Sequence, residues 1–257
     1  MRVLVYSDVH ANWEALEAVA AAAGEVDASI CLGDIVGYGA SPNETSAWVR
    51  QHTPTIIRGN HDRACASLDG IAEFNPGAAT AARWTNAQLQ PEHIEWLKSL
   101  PAGPLTWSDC NLVHGSPMDE DEYVVEAVQA AGAFASNAFE LLWFGHTHVQ
   151  GGFVLDHDQI HVLLTGPGVL RQPADTPIPA QPIARVLKLL PNCRYMLNPG
   201  SVGQPRDGDW RAAFAIYDDQ AREVTFRRVP YDLPAAQERI LRAGLPPRLA
   251  HRLAQGR

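Results

Sequence analysis

Base is what this sequence has too little of. Twenty lysines and arginines stand against 29 acids, giving a net charge of −9 and a pI near 5.5. Surfaces that bind nucleic acid carry the opposite excess, so no nucleic-acid partner is expected. Long apolar runs are missing too: none approaches the ~20 residues needed to cross a bilayer, and no membrane partner is expected. Cysteine pairs are a third absence. Cys31, Cys65, Cys110 and Cys193 stand far apart, with no Cys-x-x-Cys. That pattern is neither a zinc knuckle nor a small disulfide scaffold, and it predicts buried, reduced thiols. Met1–Tyr6 runs straight into a strand and Asp8 follows too early for a signal-peptide core, so the cytoplasm is the expected compartment. With neither an internal repeat nor an interdomain linker, one domain over 1–257 is expected. The oligomeric state is not legible.

What is present suffices for a core: 46% of the residues are hydrophobic and 19% charged, over 257 residues, the balance of a folded soluble chain. The charge is uneven, since Arg227–Arg257 holds seven arginines against Asp232 and Glu238. The expectation for that tail is a solvated or docked helical segment.

Short β-branched or apolar runs alternate with helical patterns in the first third. Val3–Tyr6 reads as a strand, and Asn12 as the N-cap of an Ala-rich helix stopping near Gly24. Ala28–Leu32 is a second strand, and Ser41-Pro42-Asn43-Glu44 has the pattern of a capping box opening a second helix. Pro54–Ile57 is a third strand that leads to Arg58-Gly59-Asn60-His61-Asp62. Two successive βα crossovers predict an α/β chain with parallel strands at its centre. Ala64–Leu100 is helical in pattern, clearest from Pro91 to the stop at Pro101, and is expected to cover the mouth of a site. A hairpin follows over Leu105–Trp107 and Cys110–Val113, then a buried strand over Leu141–Phe144. Phe153–Leu155, Ile160–Leu164, Ala212–Tyr217 and Glu223–Val229 read as further strands, Thr165–Gln181 as a Pro- and Gly-rich surface loop. Asn198–Ser201 reads as a tight turn and Pro234–Ala243 as a short helix.

Each strand end carries a metal-type side chain: Asp8-x-His10, Gly33-Asp34, Asn60-His61, His114 and His146-x-His148. On an extended chain residues two apart point the same way, which predicts that each D-x-H or H-x-H pair pincers one ion. Carboxylate, imidazole and amide oxygen without thiolate suit hard to borderline divalent ions. Manganese is the first choice, with iron, nickel, zinc or magnesium as alternatives. Seven donors exceed one ion and match two sharing a carboxylate; ions roughly 3.5–4 Å apart activate a hydroxide and clamp phosphoryl oxygens. His52, His93, His157, His161 and His251 are read as structural.

The set Asp8-x-His10, Gly33-Asp34, Gly59-Asn60-His61-Asp62, His114-Gly115 and Gly145-His146-x-His148 resembles the calcineurin-like metallophosphoesterase superfamily. Asn198-Pro199-Gly200-Ser201 resembles more loosely its bacterial phosphodiesterase-like branch. The resemblance implies a four-layer αββα sandwich of two mixed sheets flanked by helices. It implies Asp8, His10, Asp34 and His148 around one ion, and Asp34, Asn60, His114 and His146 around the other, with Asp34 bridging. It further implies a metal-bridging hydroxide as nucleophile and His61 as general acid. Protein phosphatases of the superfamily carry Asp-Arg where this chain has Gly37-Tyr38. The expectation is therefore a small diester substrate, and any carboxylate that orients His61 comes from another place. Arg58 or Arg206 would supply compensating charge, although Arg206 is expected on the surface. The alternatives are a protein or nucleotide phosphomonoesterase and a non-catalytic scaffold of the same fold.

Overall fold

The computed structural model describes residues 1–164 and 181–257. Apart from Gln181, the loop expected over Thr165–Gln181 lies outside the described residues.

Hydrophobic alternation along the strands builds two six-stranded mixed sheets. The first is formed by β1 (Arg2–Tyr6), β2 (Ala28–Cys31), β3 (Thr55–Ile56), β9 (Ile183–Lys188), β11 (Ala212–Asp218) and β12 (Glu223–Val229). Its order is β3-β2-β1-β11-β12-β9; β1, β2 and β3 run parallel, and the other pairings are antiparallel. The second holds β4 (Leu105–Trp107), β5 (Cys110–Leu112), β6 (Leu141–Trp143), β7 (Gly151–Asp156), β8 (Gln159–Leu164) and β10 (Cys193–Asn198), ordered β4-β5-β6-β10-β7-β8. Here β5, β6 and β10 run parallel.

Period-2 alternation places successive residues on opposite faces, and this chain uses both faces of both sheets. Val3 and Val5 of β1 meet Leu112, Trp143, Tyr195 and Leu197 of the second sheet in the core between the sheets. Leu4 and Tyr6, one residue out of step, turn outward to the helices. Leu142 and Met196 likewise leave the middle for a third core beneath α6 (Ala127–Ser136). Three cores separate four layers: helices, sheet, sheet, helix.

On the outer face of the first sheet lie α1 (Trp13–Ala23), α2 (Pro42–His52), α3 (Asn60–Ser67), α4 (Pro76–Gln88), α5 (Pro91–Ser99), α7 (Leu233–Arg242) and α8 (Pro247–His251). In α1, an Ala-rich run of high helix propensity presents Ala15, Leu16, Val19 and Ala23 inward. Its N-cap Asn12 accepts from Ala15 N at 3.2 Å. The Arg-rich tail docks through Ala236, Ile240, Leu249 and Leu253, and Arg239 pairs with Glu14 at 2.8 Å. All four cysteines are buried free thiols.

Three local expectations need correction. Ser41 precedes α2 but caps nothing with its side chain. Asn43, in the first turn of α2, bonds across to Gln88 O and Gln90 N. Strand β3 covers only Thr55–Ile56, and helix α3 begins at Asn60, four residues before the helical pattern was read. Finally, β9 was missed because β12 pairs with it along one edge while its side chains stay largely exposed. An edge strand shows no buried face to a reader of hydrophobicity.

Candidate metal centre

The ends of β1, β2, β3, β5 and β6 meet where the two sheets lie side by side, and every candidate donor stands on one of them. The chain does not reach these positions in extended form. Asp8, His10, Asp34, His146 and His148 all have positive φ, between 49° and 64°. Non-glycine residues hold this conformation at a cost of about 1–3 kcal/mol each, and only where their surroundings over-determine it. Asp8 and His10 do converge on one donor group, through tight left-handed turns in place of extended chain, but His146 and His148 are divided between the two groups, so the expected His-x-His pincer on one ion does not form.

Backbone bonds fix those turns. Asp8 N donates to Gly33 O at 3.0 Å and His10 N to Asp34 O at 2.9 Å, tying the first strand end to the second. Gly145 N donates to His114 O at 2.8 Å, tying the fifth to the sixth. The Asn198–Ser201 turn bridges the sheets: Asn198 Nδ2 donates to Gly145 O at 2.8 Å, and Ser201 Oγ donates to Asp8 O at 2.8 Å. Gly59 is needed for close approach, since a Cβ there would stand 2.2 Å from Asp34 Oδ1.

Two donor groups result. Asp8, His10, Asp34 and His148 bring one ligand atom each within 4.8 Å of one another, and so do Asp34, His114 and His146. Asp34 belongs to both. Its Oδ2 lies 3.6 Å from His10 Nε2 and 3.4 Å from His114 Nε2, while Oδ1 accepts from His61 N at 2.8 Å. Asn60 Oδ1 lies 3.2 Å from His114 Nε2 and joins the second group.

The imidazoles are oriented from behind. His10 Nδ1 donates to Val36 O (3.2 Å), His114 Nδ1 to Leu32 O (2.7 Å) and His148 Nδ1 to Gln204 O (2.6 Å). Those three turn Nε2 inward. His146 is turned round: its Nε2 donates to Asp121 O at 3.1 Å, leaving Nδ1 for the site. Such rear hydrogen bonds to carbonyls set the tautomer and raise ligand basicity.

Cations fit this set better than any protein group does. Asp8 Oδ2 and Asp34 Oδ2 are buried with no hydrogen-bond partner, and a buried carboxylate oxygen without a partner is costly. His10 Nε2 faces His148 Nε2 at 3.1 Å. The ionisation pattern agrees. Burial pushes Asp8 up to about 7, against the charge of His114. Burial opposes ionisation of Asp34 as well, but the His114, His61 and His10 imidazoles outweigh it and hold Asp34 well below the usual carboxylate range. Burial depresses His10 and His148 far below an ordinary imidazole. Against burial, Asp34 and Asp8 lift His114 to about 9. The donors are two carboxylates, four imidazoles and an amide oxygen, with no sulfur. That mixture suits hard to borderline divalent ions.

His61 belongs to neither donor group. It borders a cavity of about 190 Å³ together with Asn60, Phe74, Tyr123 and His146. Its ring packs on Tyr38 at 4.4 Å and Phe74 at 4.5 Å between centroids. Among the described residues Nδ1 has no hydrogen-bond partner, so packing holds the ring and no carboxylate orients it. Gly37 explains the bareness. A Cβ at Gly37 would stand 2.6 Å from His61 Nδ1, which is where a side chain at that position would act. Asp62 has a different job: Oδ2 accepts from Gly59 N at 3.0 Å, and Oδ1 from Ile35 N at 2.8 Å and Val36 N at 3.2 Å. It caps α3 and pins the β2 loop beneath Asp34.

The segment after α3 contributes Gly70, Phe74, Asn75 and Ala78 to the cavity wall, so its first part covers the mouth as expected, while α5 packs on α3. Arg206, expected on the surface, lies at the site: its backbone N donates to His148 O at 3.1 Å, and its guanidinium stands 5.8 Å from the Tyr38 ring centroid. No local pattern distinguishes it, because its place depends on the loop after β10. Arg58 is spent on Glu120 at 3.2 Å. Tyr123, which stacks on His146 at 3.9 Å, was not foreseen either.

The calcineurin-like phosphoesterase superfamily domain matches residues 1–188. An uncharacterized protein of Methanocaldococcus jannaschii is 31% identical over 267 aligned residues, covering 99% of this chain and 98% of that one. The crystal structure of a metallophosphoesterase from Sphaerobacter thermophilus superposes with a TM-score of 0.82 at 40% identity, over 100% of both chains. A hypothetical protein from Pyrococcus horikoshii shares the fold, with a TM-score of 0.73 at 20% identity over 100% of this chain and 98% of that one. With two mixed sheets, flanking helices and an Asp/His cluster where they meet, this chain belongs to the calcineurin-like phosphoesterase superfamily.

Proposed function

We propose that the protein is a dinuclear-metal-dependent phosphoester hydrolase that prefers diesters, with His61 as general acid. The observation that carries this reading is Asp34, shared by the two donor groups: its Oδ2 is buried with no hydrogen-bond partner, and its Oδ1 accepts from the backbone N of His61 at 2.8 Å. Two divalent ions, manganese first among them, would be held by Asp8, His10, Asp34 and His148, and by Asp34, Asn60, His114 and His146. When bound, they supply water activation and charge neutralisation at phosphorus.

The chain's own residues supply the rest. Asn60 stands at the mouth, and its amide is available to a phosphoryl oxygen as well as to an ion. Burial pulls His61 down to about 4, with Asp34 acting the other way. A phosphoester anion beside the ring favours its charged form, so the ring gains its proton as substrate arrives. It then delivers that proton to the departing alkoxide. Tyr38 and Phe74 hold the ring in place from two sides. Preference for a diester is supported by Gly37 and Tyr38, which put neither a carboxylate behind His61 nor an arginine at the same turn.

Proton transfer of this kind is typically worth about 10²–10⁴ in rate. His61→Asn is therefore expected to lower kcat by that factor on an alkyl diester while metal analysis finds both ions retained. Unchanged turnover would remove His61 from the mechanism. A panel of monoesters, diesters and a phosphopeptide at matched Mn²⁺ decides the substrate class; faster monoester cleavage would favour the phosphomonoesterase reading.

A further inference from the structure

Val224 and Phe226 of β12 face the core between the sheets, and the same alternation brings Arg228 to that face. A fully buried guanidinium therefore stands where the period calls for an apolar side chain. Its charge is met by Asp207, in the loop after β10, which Arg228 Nη2 bonds. Arg228 Nε donates to Gln150 Oε1 at 3.3 Å and Nη1 to Asp209 O at 3.2 Å. Beside it Asp209 and Arg211 form a second pair, as deeply buried, through Arg211 Nε at 2.9 Å and Nη2 at 2.6 Å. Asp209 Oδ2 also lies 3.8 Å from Arg228 Nε. Replacing a buried ion pair by apolar side chains is often neutral or stabilising, so stability is a poor account of why Asp207 and Arg228 are there.

What the two pairs hold differs. Residues 148–150 and 204–207 run side by side, joined by hydrogen bonds like rungs. His148 Nδ1 donates to Gln204 O at 2.6 Å, Arg206 N to His148 O at 3.1 Å, and Gln150 N to Asp207 Oδ2 at 3.0 Å. The first two grip His148 by its ring and by its backbone. The third ends on the same oxygen that Arg228 holds, while Asp207 Oδ1 is buried with no partner. Gln150 carries the link further, since its Nε2 donates to Pro199 O and Arg227 O, each at 3.0 Å. The second pair reaches elsewhere: Arg211 Nη1 donates to Gln181 O.

We propose that Asp207 and Arg228 are positioning residues for the donor group of Asp8, His10, Asp34 and His148: their ion pair fixes residues 204–207 against 148–150 and so sets the rotation of the His148 ring toward its ion. Both stand outside the donor groups and act through His148. Outer partners of a ligating imidazole are typically worth about 10–100-fold in metal affinity. The ion in this statement rests on the hydrolase reading above, whereas the hold on the ring is a property of the folded chain and is measured without metal.

The first experiment follows imidazole N–H protons by heteronuclear NMR in the metal-free protein, where His10, His114 and His148 each donate from Nδ1 to a buried carbonyl. In Asp207→Ala the His148 proton is expected to exchange with solvent about tenfold faster than in the parent, with His10 and His114 unchanged. Arg228→Gln should do the same, and Arg228→Lys, which keeps a charge for Asp207, should lie nearer the parent. Arg211→Gln breaks a pair as deeply buried and is expected to leave the His148 proton alone. A His148 proton absent in the parent, unaltered in Asp207→Ala, or equally altered by Arg211→Gln overturns the proposal. Circular dichroism identifies a variant that does not fold; if Asp207→Ala is one, Arg228→Gln decides by the same comparison. The second experiment titrates Mn²⁺ in a double-mutant cycle. Asp207→Ala is expected to weaken binding about 10–100-fold in the parent and less than about twofold in His148→Ala, where the positioned ring is already gone. Equal losses in both backgrounds overturn the proposal. A parent that binds no divalent ion overturns the metal-dependent hydrolase reading instead, leaving the NMR comparison to judge the positioning.

Discussion

The two donor groups of this site share one carboxylate yet live in different surroundings. Asp8, His10 and His148 are closed in: all three are at most 1% exposed and none lines the cavity beside His61. Asn60 and His146 line the cavity, with Tyr123 stacked against the latter. The closed group is framed by the β1, β2 and β6 turns and the loop after β10. The open group is framed by the N-terminus of α3 and the 114–123 loop. On the proposed hydrolase reading this gives the chemistry a direction: the closed group would anchor, and the open group, flanked by His61, would meet the substrate.

The largest effect should come from what the two groups have in common. Asp34→Asn removes the shared anionic oxygen, and metal analysis is expected to find fewer than one ion per chain. Hydrolysis should fall by at least ~10³-fold, the scale of several kcal/mol that metal activation provides. A variant that keeps two ions would break the idea of a shared ligand.

Next come the ligands that only one group owns. His148→Ala orphans the Gln204 carbonyl in a sealed interior, and should cost about 1–3 kcal/mol of stability besides its ion. His146→Ala opens toward solvent, where water can satisfy the Asp121 carbonyl, so its midpoint in thermal denaturation should stay nearer the parent's. Equal losses of melting temperature would erase the distinction between closed and open.

The smallest and most informative effect is in protons. In the ion-free chain His114, lifted to about 9, and Asp8, raised to about 7, still hold protons at pH 6. His146, lowered to about 3, and the deeply depressed His10 and His148 hold none. Ligands must shed protons to bind, so affinity rises with pH from 6 and levels off above about 9. Mn²⁺ binding is expected to tighten roughly 10–100-fold between pH 6 and 8. Calorimetry in buffers of different ionisation enthalpy should count one to two protons released near pH 7. Pure closed-group binding would release fewer, since His114 belongs to the open side.

Much of this was written locally. Val3–Tyr6, Ala28–Cys31 and Leu141–Trp143 announce strands because apolar β-branched runs have few other uses, and the donors that follow them are read in sequence order. Asn12 and Gly24 mark α1 by cap chemistry. The failures are as local. Asn60 begins a helix because Asp62 folds back onto Gly59 N, a bond that turn propensity alone does not reveal. Arg206 looked like a surface residue because nothing beside it in sequence tells that the loop after β10 returns to His148. β9 offered no alternation, since its pairing is decided by β12.

Sequence by itself determined the kinds of donor, their order at the strand ends and the absence of thiolate, because these are chemistry of single residues and of short periodic runs. Tertiary structure decided how they are used. It bent five of the donor residues into left-handed turns against local preference, faced His146 the opposite way from the other imidazoles, and left His61 Nδ1 bare above Gly37. It also brought Arg206 and Arg252, from the last quarter of the chain, onto the ring of Tyr38. Those outcomes depend on backbone bonds between strand ends more than a hundred residues apart in some cases, such as Ser201 to Asp8, and no window of sequence contains both partners.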